Sequence, residues 1–453
     1  MKKQVLLSLT LLPLALWPAI FNRAPILFSD TANYLLAMQG QDTDWRALGY
    51  TLLMRAASVF RLGFWPVVVF QSWVGAWVIL EIQEKTGKIR SPGRQLAAAA
   101  SLLLLTSFPW FCSQVLSDFF VPIAVISGFF LLNCWDRLSR PRRWAWLALF
   151  SFSSACHLSL PLSLSVSFLA WSAMLASKGQ VPKRFRVRLL MLIALPFLVL
   201  PVSRWLITGN FSYSRSYGVF LAARLSQDGL LGDYLDETCP GNPQLTLLCG
   251  FPPGSRHLSI NEFLWADPPH PLLQTYGWTD SSPELWKVSL ATARRFPFRF
   301  LSSSFRQGAL VLLEDGFPDG FLAEKGWLGG TIARVNPSAY SDFGFSRQEL
   351  APGGLSPVYD RLHPLFRAVV FFSVAVGLTL LPIQGIGQEA RAFFLLALTF
   401  ACVNSAISGT AAGAFSRYES RCSWLLPLAA ILMLARFRTY RLQIDHPAPL
   451  RLT

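Results

Sequence analysis

Apolar runs of roughly 17 to 25 residues, long enough to cross the hydrocarbon core of a bilayer as helices, recur along this chain with basic clusters between them. They fall near 4–22, 63–83, 95–113, 119–136, 144–159, 161–177, 189–208, 366–384, 391–408 and 422–437, about ten in all. The pattern predicts an all-α polytopic membrane protein. Composition agrees: 53% of the 453 residues are hydrophobic and only 14% are charged, where soluble domains carry about a quarter.

Charge placement sets the expected orientation. Threading the runs from a cytoplasmic N-terminus puts every basic cluster on one side: Lys85, Lys88, Arg90 and Arg94; Arg137, Arg140, Arg142 and Arg143; Lys178, Lys183, Arg184, Arg186 and Arg188; and the tail from Arg436 to Arg451. This is the positive-inside rule, with both termini cytoplasmic in a bacterial inner membrane. The net charge of +15 is therefore no nucleic-acid footprint, since no contiguous basic face carries interleaved aromatics. The basic start and apolar core of MKKQVLLSLTLLPLALWPAIF also suit a secretory signal, but no small-x-small cleavage site follows, and an uncleaved first helix is expected. Trp17, Trp110 and Trp205 fit an interfacial aromatic belt.

The expected organisation is a membrane module of about seven helices over 1–208, an outer insert over 209–364, and C-terminal helices with a basic tail over 365–453. A first outer loop at 24–62 is too polar to span and has short amphipathic patterns. The sharpest boundary question is Cys156–Leu162, where Pro161 either separates two helices or kinks one. The insert is rich in turn signals such as FPPG, DPPHP and APGG and has an amphipathic stretch at Glu284–Phe296, predicting a folded periplasmic unit of mixed structure. Within it Cys239 and Cys249 flank a short loop in an oxidising compartment, so a disulfide is expected. Cys112, Cys134, Cys156, Cys402 and Cys422 lie in or beside apolar helices as small packing residues.

Helix interiors are nearly empty of charge, whereas ionisable residues from distant segments reach the outer face. They are Asp30, Asp42, Asp44 and Arg46; Asp118; His157; Arg204; and Arg417, Tyr418, Glu419 and Arg421. A coupled transporter is expected to bury acids or histidines at mid-membrane, so the pattern favours an outer-face site. The motifs FSDTANYLLAMQG and RALGYTLLMR in the first loop, LSDFF before the fourth run, and a large outer loop after the seventh resemble the GT-C glycosyltransferases. These integral-membrane enzymes move a sugar from a polyprenyl-phosphate carrier. The resemblance implies a GT-C-like fold, with Asp30 as the first-loop acid that acts as general base or positions the acceptor, and Asp118 as the second acid.

The chemistry asks for the same residue types. Inverting transfer needs a base for the acceptor proton and cations for the departing phosphate, and the guanidinium fork matches phosphate oxygens two at a time. Arg204, Arg417 and Arg421 are the phosphate candidates, the last two at i, i+4 on one helical side, with Arg215 and Arg224 behind them and Tyr34, Arg46, His157 and Tyr418 alongside. Other readings stay open. Asp30 and Asp118 also suit helix N-caps, and Asp42 and Asp44 a solvated turn. Two spaced carboxylates permit a divalent cation without demanding one, whereas Glu314, Asp315 and Asp319 in the EDGFPDG loop lack EF-hand spacing. A lipid or polysaccharide transporter, a non-catalytic assembly partner, and an O-antigen ligase or polymerase are the competing functions; the acceptor is a glycan, lipid or protein.

Overall fold

The computed structural model describes residues 2–41, 43, 45–176, 182–242, 246–266, 268–313, 316, 320–323, 326–383, 385–415 and 417–445. Asp42, Asp44, Lys178, Glu314, Asp315, Asp319 and Arg451 lie outside them. Six helices are long and apolar enough to cross a membrane: Trp65–Lys85, Ser117–Arg137, Lys183–Thr208, Ser356–Leu380, Gln388–Ala412 and Arg417–Leu442. Leu160–Ala176 is a shorter apolar helix. No strand occurs among the described residues, only one isolated bridge between Ile26 and Gln114.

The remaining three runs take a different form. Pro13 and Pro18 sit in the first turns of new helices, so 4–22 becomes Lys2–Thr10, Leu12–Ala15 and Trp17–Asn22; a proline lacks the donor that would continue the preceding turn. The 95–113 run divides at Thr106, whose extended backbone separates Pro92–Leu105 from Phe108–Ser113. The 144–159 run is a 15-residue helix, Arg140–Ser154. Its end answers the Pro161 question: the chain turns at Ala155–Ser159, and Pro161 lies in the first turn of a separate helix.

The main core forms around Ser117–Arg137, the most enclosed of the spanning candidates. Phe119, Phe120, Phe129 and Phe130 are completely buried there, and Phe130 stacks on Trp146 at 4.1 Å. Trp110 is also buried, against Phe321 and Tyr359, so it packs in the core instead of joining an aromatic belt. Trp205 remains exposed.

The insert is helical in its described parts and has a core of its own, with Val219, Leu225, Leu235, Phe263 and Leu285. Its later part, including Leu328, Ile332, Ala339 and Phe343, packs instead into the main core. Ser356–Leu380 runs unbroken past the expected boundary at 365. Pro297–Leu313 lies along Gln388–Ala412 at close range: a Cβ on Gly409 would come within 2.4 Å of the Gly308 nitrogen, so this crossing is built on small residues.

Cys239 and Cys249 are disulfide-bonded, ten residues apart. Closing a loop of that size removes about 2–3 kcal/mol of chain entropy from the unfolded state. Cys249→Ser is therefore expected to lower the melting temperature, and reductant to do the same to the wild type but not to the variant. Equal melting of oxidised and reduced wild type would count against a stabilising bridge.

Candidate active site

The first loop is pinned to the segment before the fourth run by a short ladder. Ile26 N–H donates to the Ser113 carbonyl and Val115 N–H to the Ile26 carbonyl, both at 2.9 Å. The chain then enters the helix Ser29–Met38. Its Thr31 hydroxyl donates to the Val115 carbonyl at 3.0 Å, and Tyr34 donates to Ser117 Oγ at 2.7 Å. These bonds bring Asp30 near the start of Ser117–Arg137, where Asp118 sits.

Both acids line one cavity of about 1000 Å³, together with Tyr34, Arg46, His157, Arg417 and Tyr418. Arg46 forms an ion pair with one Asp30 oxygen, and Arg417 lies 3.4 Å from the other. The Arg417 guanidinium also stands over the Phe28 ring at 4.8 Å. Asp30 therefore faces two guanidinium groups across the cavity wall. It makes no cap: the helix begins after Phe28, whose N–H donates to the Thr31 hydroxyl at 3.2 Å. Asp118 likewise makes no side-chain cap bond.

The two other phosphate candidates stand behind the wall. Arg204 is buried and donates to the Arg46 main-chain carbonyl at 2.7 Å, which steadies the loop that carries Arg46. Arg421 is fully buried and reaches three acceptors: Asp118 Oδ1 at 2.5 Å, His157 Nε2 at 2.8 Å and Asn404 Oδ1 at 3.0 Å. The i, i+4 pair is thus divided, with Arg417 on the cavity and Arg421 inside the protein. Glu419 is buried as well and accepts from Ser405 Oγ at 2.8 Å. Arg224 pairs with Asp228 at 2.9 Å inside the insert, and Arg215 is exposed; neither lines the cavity.

His157 lies in the turn between Arg140–Ser154 and Leu160–Ala176, and its two nitrogens face different partners. Guanidinium can only donate, so Nε2 accepts from Arg421. Nδ1 faces Ser159, with the Ser159 backbone N–H at 3.2 Å and its hydroxyl at 2.8 Å. Burial and the neighbouring Arg421 charge hold the imidazole neutral, lowering its pKa to about 3. The unfolded chain accepts this proton near pH 6.5 and the folded one refuses it, so stability is present above that pH and lost as pH falls toward 3. The contribution is at most about 1.4 kcal/mol per pH unit. Melting curves of His157→Gln should fall less steeply than wild type between pH 6.5 and 5. Parallel curves would show that His157 does not carry this proton.

Among the described residues no group of three His, Cys, Asp or Glu side chains is placed to hold a metal ion, and both cavity acids face guanidinium groups, a donor set that does not fit a resident divalent cation. The aromatic residues Trp45, Tyr217, Trp265 and Trp286 also line the cavity, and sequence reasoning passed over them because an isolated tryptophan carries no spacing signal. No family model, curated protein or solved structure matches this chain.

Proposed function

We propose that the protein is a GT-C-type membrane glycosyltransferase. It moves a sugar from a polyprenyl-phosphate donor to an acceptor at the outer face of the bacterial inner membrane. About ten crossings, cytoplasmic termini and a periplasmic insert belong to the same proposal. The supporting observation is the convergence of Asp30, Asp118, Arg46, Arg417 and His157, from separate segments of the chain, on one cavity beside the ends of apolar helices. Asn33 Oδ1 and Arg46 Nε, on residues of the same wall, have no hydrogen-bond partner among the described residues. Buried polar atoms of that kind suit a polar ligand.

In this reading the donor phosphate enters between Arg46 and Arg417 and competes with Asp30 for their N–H groups. Asp30 becomes more basic as its counter-ions turn to the phosphate. It takes the proton of the acceptor hydroxyl while that oxygen attacks the anomeric carbon. The anomeric C–O bond to phosphate breaks, and the electron pair leaves on the polyprenyl phosphate, held by the guanidinium groups. Asp118, fixed by Arg421, orients the acceptor.

The test is transfer of radiolabelled sugar from a panel of polyprenyl-phosphate sugars by the purified protein in nanodiscs, with membrane extracts as acceptor source. Labelled glycan product supports the proposal. Absence of both turnover and donor binding across the panel would overturn it.

A further inference from the structure

The cavity lining combines aliphatic and aromatic groups. Leu158, Leu162, Ile407 and Ala411, at the ends of apolar helices, make an aliphatic side. The insert and first loop contribute Leu221, Leu264 and Leu290 together with a set of aromatic rings: Trp45, Tyr217, Phe220, Trp265 and Trp286.

These rings fall into two contact groups. Trp278 holds Trp45, Trp265 and Phe220 at centroid distances of 4.7, 5.1 and 5.6 Å. The helix that carries it breaks at Gly277, where φ is 70° and ψ is 178°, a conformation that favours glycine. Tyr217 meets Trp286 edge to face at 5.7 Å. Burial is not what these rings achieve: Trp265 keeps 48% exposure, Tyr217 49% and Trp286 38%, although the apolar core of the insert lies beside them. Rings that only served packing would be expected to turn into that core. Trp45 is also the direct neighbour of Arg46, which holds Asp30, so the first of these groups begins beside the proposed chemistry.

We infer that this aromatic wall is a carbohydrate platform that takes a pyranose ring. A pyranose offers a face of weakly positive C–H groups and a rim of hydroxyls. The face fits the negative π cloud of an indole, and the rim is left for Asp30, Asn33 and Asp118. An isoprenoid chain has the aliphatic side available and gains nothing from the hydroxyl-binding rim. The inference rests on the transfer reading for the source of the ring, which is either the sugar of the donor or a glycan acceptor.

The experiment titrates the full-length protein in nanodiscs with maltoheptaose, cellohexaose, chitohexaose and mannopentaose, following tryptophan fluorescence. Separate arms use undecaprenyl phosphate and undecaprenyl-phosphate sugars. At least one carbohydrate is expected to bind saturably, and Trp265→Ala to weaken it by about tenfold, with Trp265→Phe restoring most of the loss. Trp286→Ala, on the other ring pair, gives an independent second variant, and melting temperatures check folding. Undecaprenyl phosphate binding should not change. An acceptor platform shows its effect with free oligosaccharide. A donor platform shows it only as the extra affinity of the sugar-linked lipid over the bare one. The inference is overturned if neither carbohydrate arm responds to either variant, or if bare undecaprenyl phosphate is what Trp265→Ala loses. Carbohydrate binding without any transfer keeps the platform and rejects the transferase.

Discussion

Arg421→Leu should be the most damaging single substitution around the cavity, lowering stability by about 3–5 kcal/mol and the melting temperature by about 5–10 °C. The guanidinium is completely enclosed, and Asp118 is 3% exposed. Leucine would fill much of the space but leave the Asp118 carboxylate without its ion-pair partner, and remove the guanidinium donor from His157 Nε2 and Asn404 Oδ1. Such orphaned groups cost more than the pair contributes when intact. Arg421→Lys keeps the charge but cannot reach three acceptors from one planar fork, so an intermediate loss is expected. Asp118→Asn in the Arg421→Leu background removes the stranded charge and should recover part of the loss. The double-mutant cycle then gives a coupling of at least about 1 kcal/mol. Strictly additive effects in that cycle would show that the two side chains do not depend on each other.

The sequence made some parts of this arrangement readable, for identifiable reasons. Long apolar runs mark spanning helices directly, because length and hydropathy are local properties, and six of them are present, although Ser356–Leu380 begins ten residues before the expected 366. Asp30 and Asp118 stood out because carboxylates are costly next to apolar helices, and both line the cavity. Orientation within a turn was much less visible. Arg417 and Arg421 have spacing for one face, yet the span that begins at Arg417 opens with a seven-residue helix, Arg417–Ser423, set off from Leu425–Asp445, and it packs so that Arg421 meets Asp118 from 303 positions away. Gln348 is a similar case: its amide donates to the Leu27 carbonyl at 2.6 Å and accepts from Leu27 N–H at 3.1 Å, tying the end of the insert to the first loop. Nothing in RQEL announces that contact. Glu81 is buried inside Trp65–Lys85, a run read as nearly free of charge, and is matched by Arg142 at 3.2 Å from another helix. Pairings of this kind depend on tertiary neighbours, which one sequence does not display.

Asp30→Asn should separate chemistry from architecture, because the two cavity acids differ in what holds them. Asp118 is tied to a guanidinium inside the protein, whereas Asp30 is tied to Arg46 and Arg417, whose side chains keep 18% and 9% exposure on the cavity wall. Arginines at a wall can turn toward an arriving phosphate; an enclosed one cannot. Asparagine preserves the shape of Asp30 and the bonds of Thr31 and Tyr34 that position its helix, so the melting temperature should change by only a few degrees, about 1–2 kcal/mol. Loss of a general base costs about 10²- to 10⁴-fold in rate, and transfer should fall by that much with donor affinity preserved or increased, since Arg46 and Arg417 no longer have a competing carboxylate. Asp118→Asn should instead lose stability first, because Arg421 is left enclosed without its charge partner. A wild-type transfer rate in Asp30→Asn would remove Asp30 from the chemistry and leave it as the residue that spaces the two arginines. Equal losses of stability in both variants would mean that the two acids serve the same structural purpose.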